Sequence, residues 1–144
     1  MRYLVFLALV GLVSFHALPQ AKPKMVVYKT ATCGCCGKWV EHVQAAGFDA
    51  KVVTVAATAA ARKNAGIPEA YASCHTAVVG GYAIEGHVPA TDILRLLKEK
   101  PKAKGLAVPG MPIGSPGMEA GARKDTYQTF LIQADGSTKV FAKH

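Results

Sequence analysis

The sequence predicts an α/β domain whose elements run β-α-β-α-β-β-α, followed by a Gly/Pro-rich loop and a C-terminal β-hairpin. Three observations predict it. Short β-branched runs alternate with segments of helical period between residues 25 and 99, and a Gly80-Gly81 pair separates two four-residue strand patterns. A cysteine-rich turn, Cys33-Gly34-Cys35-Cys36, joins the first strand pattern to the first helical one.

Taken in order, residues 25–29 (MVVYK) form the first strand. Helical spacing follows over 38–46, with Trp39, Val40 and Val43 on the buried side and Lys38, Glu41, His42 and Gln44 outward, and Gly47 caps it. Residues 50–55 (AKVVTV) read as the second strand, and the alanine-rich 58–65 as a second helix stopped by Gly66 and Pro68. The patterns at 76–79 and 82–85 flank the glycine pair, which favours a tight antiparallel hairpin. Pro89 suits a helix's first turn, and Ile93, Leu94, Leu96 and Leu97 make an apolar stripe up to Glu99 before Pro101 stops it. Residues 104–119 (KGLAVPGMPIGSPGME) hold too many glycines and prolines for regular structure, yet retain five large apolar residues, so they read as an ordered functional loop. A hairpin over 126–133 and 138–141 closes the chain, turning at Asp135-Gly136. This order, with a cysteine turn between first strand and first helix, is that of the thioredoxin/glutaredoxin core.

The chain has 144 residues and a net charge of +8. Residues 1–21 read as a signal peptide: Arg2, an apolar run from Leu4 to Phe15, then a small-residue region from Ala17 to Ala21. That run is shorter than the ~20 residues a spanning helix needs, so membrane attachment is expected only if the signal stays uncleaved. Residues 22–144 then make one domain, expected in the periplasm. The basic residues are scattered, and the densest stretch, 98–104, is interrupted and carries no aromatics that could stack bases, which argues for a solvated basic face and against nucleic-acid binding.

Four cysteines in an exported chain suggest two structural bridges. The spacing argues otherwise, since adjacent Cys35 and Cys36 cannot pair without strain and three sulfurs in one turn staple almost no chain. Thiolate chemistry remains in two forms, disulfide exchange and soft-metal binding. At a helix N-terminus the turn's sulfurs gain from the helix dipole, which predicts thiolates near neutral pH. By fold analogy, the loop Ser73-Cys74-His75-Thr76 should lie against that turn. A Cys-x-x-Cys redox pair would use Cys33 as nucleophile and Cys36 as resolving thiol, leaving Cys35 and Cys74 idle. A metal site would use all four sulfurs, and thiolate with thioether selects Cu(I), with Met111 and Met118 outside any packing stripe as further donors. Zinc is the lesser metal alternative, because its usual signature is two separated Cys-x-x-Cys knuckles. His75, beside Cys74, is the foremost histidine candidate. His87 either joins the site or ends a strand, His42 faces solvent, His16 belongs to the signal and His144 is terminal.

Four stretches, 28–36 (YKTATCGCC), 73–79 (SCHTAVV), 81–89 (GYAIEGHVP) and 105–119 (GLAVPGMPIGSPGME), resemble the CopG-like periplasmic proteins encoded with copper-resistance systems. The resemblance implies a thioredoxin-like fold, export to the periplasm, and copper held by Cys33, Cys35, Cys36 and Cys74. It further implies a role in copper tolerance, with Cu(I)/Cu(II) conversion as one form of it. A thiolate cluster that holds and exchanges Cu(I) would have copper export or detoxification proteins as its partners.

Overall fold

The computed structural model describes residues 21–144; the N-terminal segment read as a signal lies, but for Ala21, outside them. The order is β1 (Lys24–Lys29), α1 (Gly34–Ala45), β2 (Asp49–Thr54), α2 (Ala59–Asn64), β3 (Thr76–Val79), β4 (Tyr82–Glu85), α3 (Ala90–Glu99), β5 (Ala103–Ala107), β6 (Gln128–Gln133) and β7 (Thr138–Lys143). A short 3-10 turn, Glu69–Tyr71, precedes β3. The strands form one mixed sheet, ordered β2-β1-β3-β4-β5-β6-β7. Pairs β1/β2 and β4/β5 are parallel and the others antiparallel.

Register explains the core. Val27, Ala77, Ile84 and Leu106 are partners across four neighbouring strands. All four side chains point to one face, since strand neighbours in register share a face. There they meet Trp39, Val40 and Val43 of α1 and Ile93 and Leu96 of α3 in one buried cluster. The opposite face carries a smaller cluster of Ile67, Ala83, Ala107 and Ile132. The hairpin predicted around Gly80-Gly81 forms at the expected residues, and both glycines take the positive φ that a tight two-residue turn requires, 56° and 84°.

Three expectations need correction. The stretch from residue 104 is not loop throughout, because β5 occupies Ala103–Ala107 between β4 and β6. Its glycine is a requirement of the sheet: a Cβ on Gly105 would fall 1.8 Å from the Ala83 carbonyl oxygen. Helix α1 starts at Gly34 rather than Lys38, so Cys35 and Cys36 lie in its first turn, with Cys33 as N-cap. His42 is half-buried rather than on the solvent face, and its Nε2 accepts the backbone N–H of Ala90, 3.1 Å away, which ties α1 to the start of α3.

The true loop runs over 108–127, between two strands that are antiparallel neighbours. It is cross-braced internally. Ile113 N–H donates to Asp125 Oδ2 at 3.0 Å, Asp125 N–H to the Ile113 carbonyl at 2.9 Å, and the buried Ser115 hydroxyl to the Pro112 carbonyl at 2.7 Å. Backbone polar groups paired in this way keep such a compact excursion ordered.

Candidate metal centre

The site lies where the β1–α1 turn meets the entry to β3. Cys36 is fully buried beneath the turn, while Cys33 and Cys35 are half-exposed. Cys33 and Cys36 are joined by a disulfide, with Cα atoms 5.4 Å apart. Cys35 and Cys74 are free. Cys35 Sγ lies 3.5 Å from Cys33 Sγ, and Cys74 Sγ lies 3.5 Å from Cys36 Sγ. The late cysteine therefore does come to rest against the early three, and all four sulfurs lie within 4.8 Å of one another.

Two histidines complete the site from the strand side. His75 immediately precedes β3 and His87 follows β4, so the β3–β4 hairpin brings both rings together at 5.1 Å between centroids, and both are fully buried. His87 Nε2 is 3.0 Å from Cys74 Sγ, and His87 Nδ1 is 2.8 Å from the carbonyl oxygen of Pro116. A carbonyl only accepts, so Nδ1 carries the proton and the Nε2 lone pair faces Cys74. A ring N–H held by a backbone carbonyl is the usual way a metal-binding imidazole is oriented. His75 Nδ1 is 3.4 Å from Cys74 Sγ, and its Nε2 is a buried nitrogen with no hydrogen-bond partner among the described residues. The Trp39 indole packs on the His75 ring, 4.4 Å between centroids, and its N–H donates to the Val88 carbonyl at 2.9 Å. Cys74, His75 and His87 thus form a second group of ligand atoms within 4.8 Å, sharing Cys74 with the first.

The 108–127 loop covers the turn. At Gly117, with φ +84°, a Cβ would meet the Cys35 carbonyl oxygen at 2.7 Å and the Trp39 nitrogen at 2.8 Å. Only a glycine lets the loop lie this close on the first turn of α1. Met118, next to it, is half-buried. Met111 sits at the other end of this cover, 50% exposed, and lines with Cys74, Ser73 and Thr30 an open cleft of about 580 Å³. Both methionines are thus carried by the segment that lies over the site.

Electrostatics decide the protonation states. Burial, reinforced by neighbouring Cys35, pushes the Cys74 thiol up to about 12. Burial and then the adjacent His87 hold His75 down to about 3, and burial also lowers His87 against the opposing pull of the Pro116 carbonyl. Both imidazoles are therefore neutral at neutral pH. Thiolates near pH 7 were expected of the turn's sulfurs, and two of those three are bonded to each other; Cys74, which lies outside the helix, is a thiol here. Any ion bound at Cys74 must displace its proton.

Of the residues singled out in the sequence, Cys33, Cys35, Cys36, Cys74, His75 and His87 are brought together. Sequence reasoning missed the buried carboxylate of Glu85 and its partner Arg62, which lie behind the Cys74 segment. The available signal was a glutamate ending an otherwise apolar strand pattern, two residues before His87.

Among known proteins, a family model described as a protein of unknown function, DUF411, matches residues 71–118. No curated protein matches. Two solved structures do. Copper resistance protein CopG in its form 2 is 43% identical with a TM-score of 0.82, and the match covers 85% of this chain and 98% of that one. Its form 1 is 44% identical with a TM-score of 0.81 at the same coverage. At that identity and coverage, the chain belongs to the CopG family of copper resistance proteins.

Proposed function

We propose that this protein holds Cu(I), in one ion or several, in a thiolate cluster of Cys33, Cys35, Cys36 and Cys74. His75, His87, Met111 and Met118 serve as further donors, and the protein acts in copper resistance by passing the ion to export or detoxification partners. The observation that carries this reading is the 3.5 Å separation of Cys74 Sγ from Cys36 Sγ, which makes one pocket of two distant segments. Soft sulfur favours Cu(I), and the two neutral imidazoles sharing Cys74 offer the mixed nitrogen and sulfur set that suits Cu(II). The Cys33–Cys36 bond supports a redox form of the function. Two thiols reduce two Cu(II) to two Cu(I), forming that disulfide and releasing two protons, and the disulfide must be reduced again before all four sulfurs can bind. A chain exported by residues 1–21, with 22–144 as the periplasmic domain, fits this chemistry. The strand order β2-β1-β3-β4 with the cysteine turn after β1 supports a thioredoxin-like core.

Anaerobic copper titration of the reduced protein with thiol counting tests this. At least one Cu(I) per chain is expected, with loss on Cys35→Ser; a smaller amount, or an unchanged Cys35→Ser variant, overturns it. A second reading, thiol-disulfide oxidoreductase, is favoured by the same Cys33–Cys36 bond. On that reading Cys33→Ser and Cys36→Ser abolish activity on protein disulfides while Cys35→Ser and Cys74→Ser spare it. Native mass spectrometry of protein taken from its own compartment separates copper from zinc.

A further inference from the structure

We propose that Glu85 is the positioning residue for the Cys74 thiol, with Arg62 as its support. Glu85 ends β4 and is fully buried. Its Oε1 accepts the backbone N–H of Ser73 at 2.8 Å, and its Oε2 accepts the Thr76 hydroxyl at 2.6 Å. One carboxylate therefore brackets the Cys74-His75 dipeptide, gripping the residue before it and the residue after it. Arg62 of α2 approaches from behind, with Nη1 3.5 Å from Glu85 Oε1. The rest of its guanidinium is fixed on Glu69, Nη2 at 2.8 Å and Nε at 3.1 Å, so the 3-10 turn before Cys74 is tied to the same support.

A buried carboxylate is a costly way to stabilise a strand end, since an apolar side chain there needs no desolvation of charge. What it supplies is direction. The bond to Ser73 N–H fixes the backbone next to Cys74, and the sulfur's contacts with Cys36 and His87 depend on that backbone. A second hold comes from the cover loop, where Ser73 Oγ donates to the Gly110 carbonyl and Gly110 N–H to the Ala72 carbonyl at 3.1 Å. Removing Glu85 should therefore loosen the thiol without releasing the segment altogether.

The inference takes Cys74 as the shared donor of the reading above, yet its test contains no copper, so the two fail separately. In a reduced Cys33→Ser/Cys35→Ser background, diamide oxidation closes Cys36 onto Cys74, and alkylation followed by mass spectrometry gives the rate. In a Cys35→Ser/Cys74→Ser background the same treatment closes Cys33 onto Cys36, which involves the helix turn alone. Glu85→Ala should slow the first closure by about tenfold or more and leave the second within about twofold, as loss of a charge-assisted hydrogen bond implies. Glu85→Gln, whose amide oxygen still accepts Ser73 N–H, should restore most of the first rate. Equal slowing of both closures would mean general loosening and overturns the proposal, as does no slowing of either. If Glu85→Ala does not fold, Thr76→Val decides: about threefold slower closure onto Cys74 supports the proposal, and an unchanged rate overturns it.

Discussion

The two walls of the site are built differently. On the helix wall, Cys33 and Cys35 are half-exposed and Cys33 makes no capping hydrogen bond with its side chain. On the strand wall, His75 and His87 are fully buried, and His87 is held by the Pro116 carbonyl while Cys74 is flanked by residues bonded to Glu85. On the proposed reading the helix wall changes its bonding where Cys33 and Cys35 reach the surface, with Cys36 fully buried beneath them. The strand wall is a fixed frame against which that change occurs. The proposed function, in which the centre alternates between a disulfide and bound metal, needs one wall of each kind.

The sharpest break of this comparison is Cys74→Ser, since that sulfur belongs to both ligand groups. Copper bound in anaerobic titration should fall below half of the wild-type amount, whereas Cys35→Ser should lose only part. Retention of full stoichiometry by Cys74→Ser would show that the helix wall binds alone.

Gly117→Ala presses on the helix wall from outside. With positive φ and a methyl 2.7 Å from the Cys35 carbonyl oxygen, it should cost about 2–4 kcal/mol of stability, read by urea unfolding of the oxidised protein. Cover and turn would part, and Cys35 should alkylate faster.

The strand wall should show itself in pH dependence. Because the folded value for His75 is depressed to about 3 from an ordinary 6.5, the unfolded chain takes up its proton first as pH falls, and stability is lost from about pH 6.5 downward. At pH 4.5 this histidine alone accounts for about 2–3 kcal/mol. His75→Gln should flatten the decline between pH 6.5 and 4.5 in urea unfolding of the metal-free protein. An unchanged slope would mean that other groups, such as half-buried His42, which burial also lowers, carry it.

Much of this fold was legible because it is written in periodicity. Trp39, Val40 and Val43 were placed inward by spacing and are inward, and the hairpin around Gly80-Gly81 is read directly from its turn chemistry. What spacing does not carry is contact between distant segments. His42 occupies a position that its own helix would turn partly outward, and only the arrival of Ala90 gives it a partner. β5 was hidden because Gly105 looks like a breaker along the chain, whereas across the sheet it is the residue that fits over Ala83. The approach of Cys74 was inferred from element order. Which sulfurs are bonded depends on electrons supplied from outside, and no pattern of residues records that.

The long excursion over 108–127 leaves β5 and returns to β6, two strands already zipped to each other side by side. Its ends are therefore anchored whatever happens between them. The exposed stretch 119–124 of this roof can vary while the sheet keeps its register and the segment carrying Pro116 and Gly117 keeps its contacts with the site. Natural or engineered diversity within this architecture should concentrate there, with the strands beneath left largely untouched.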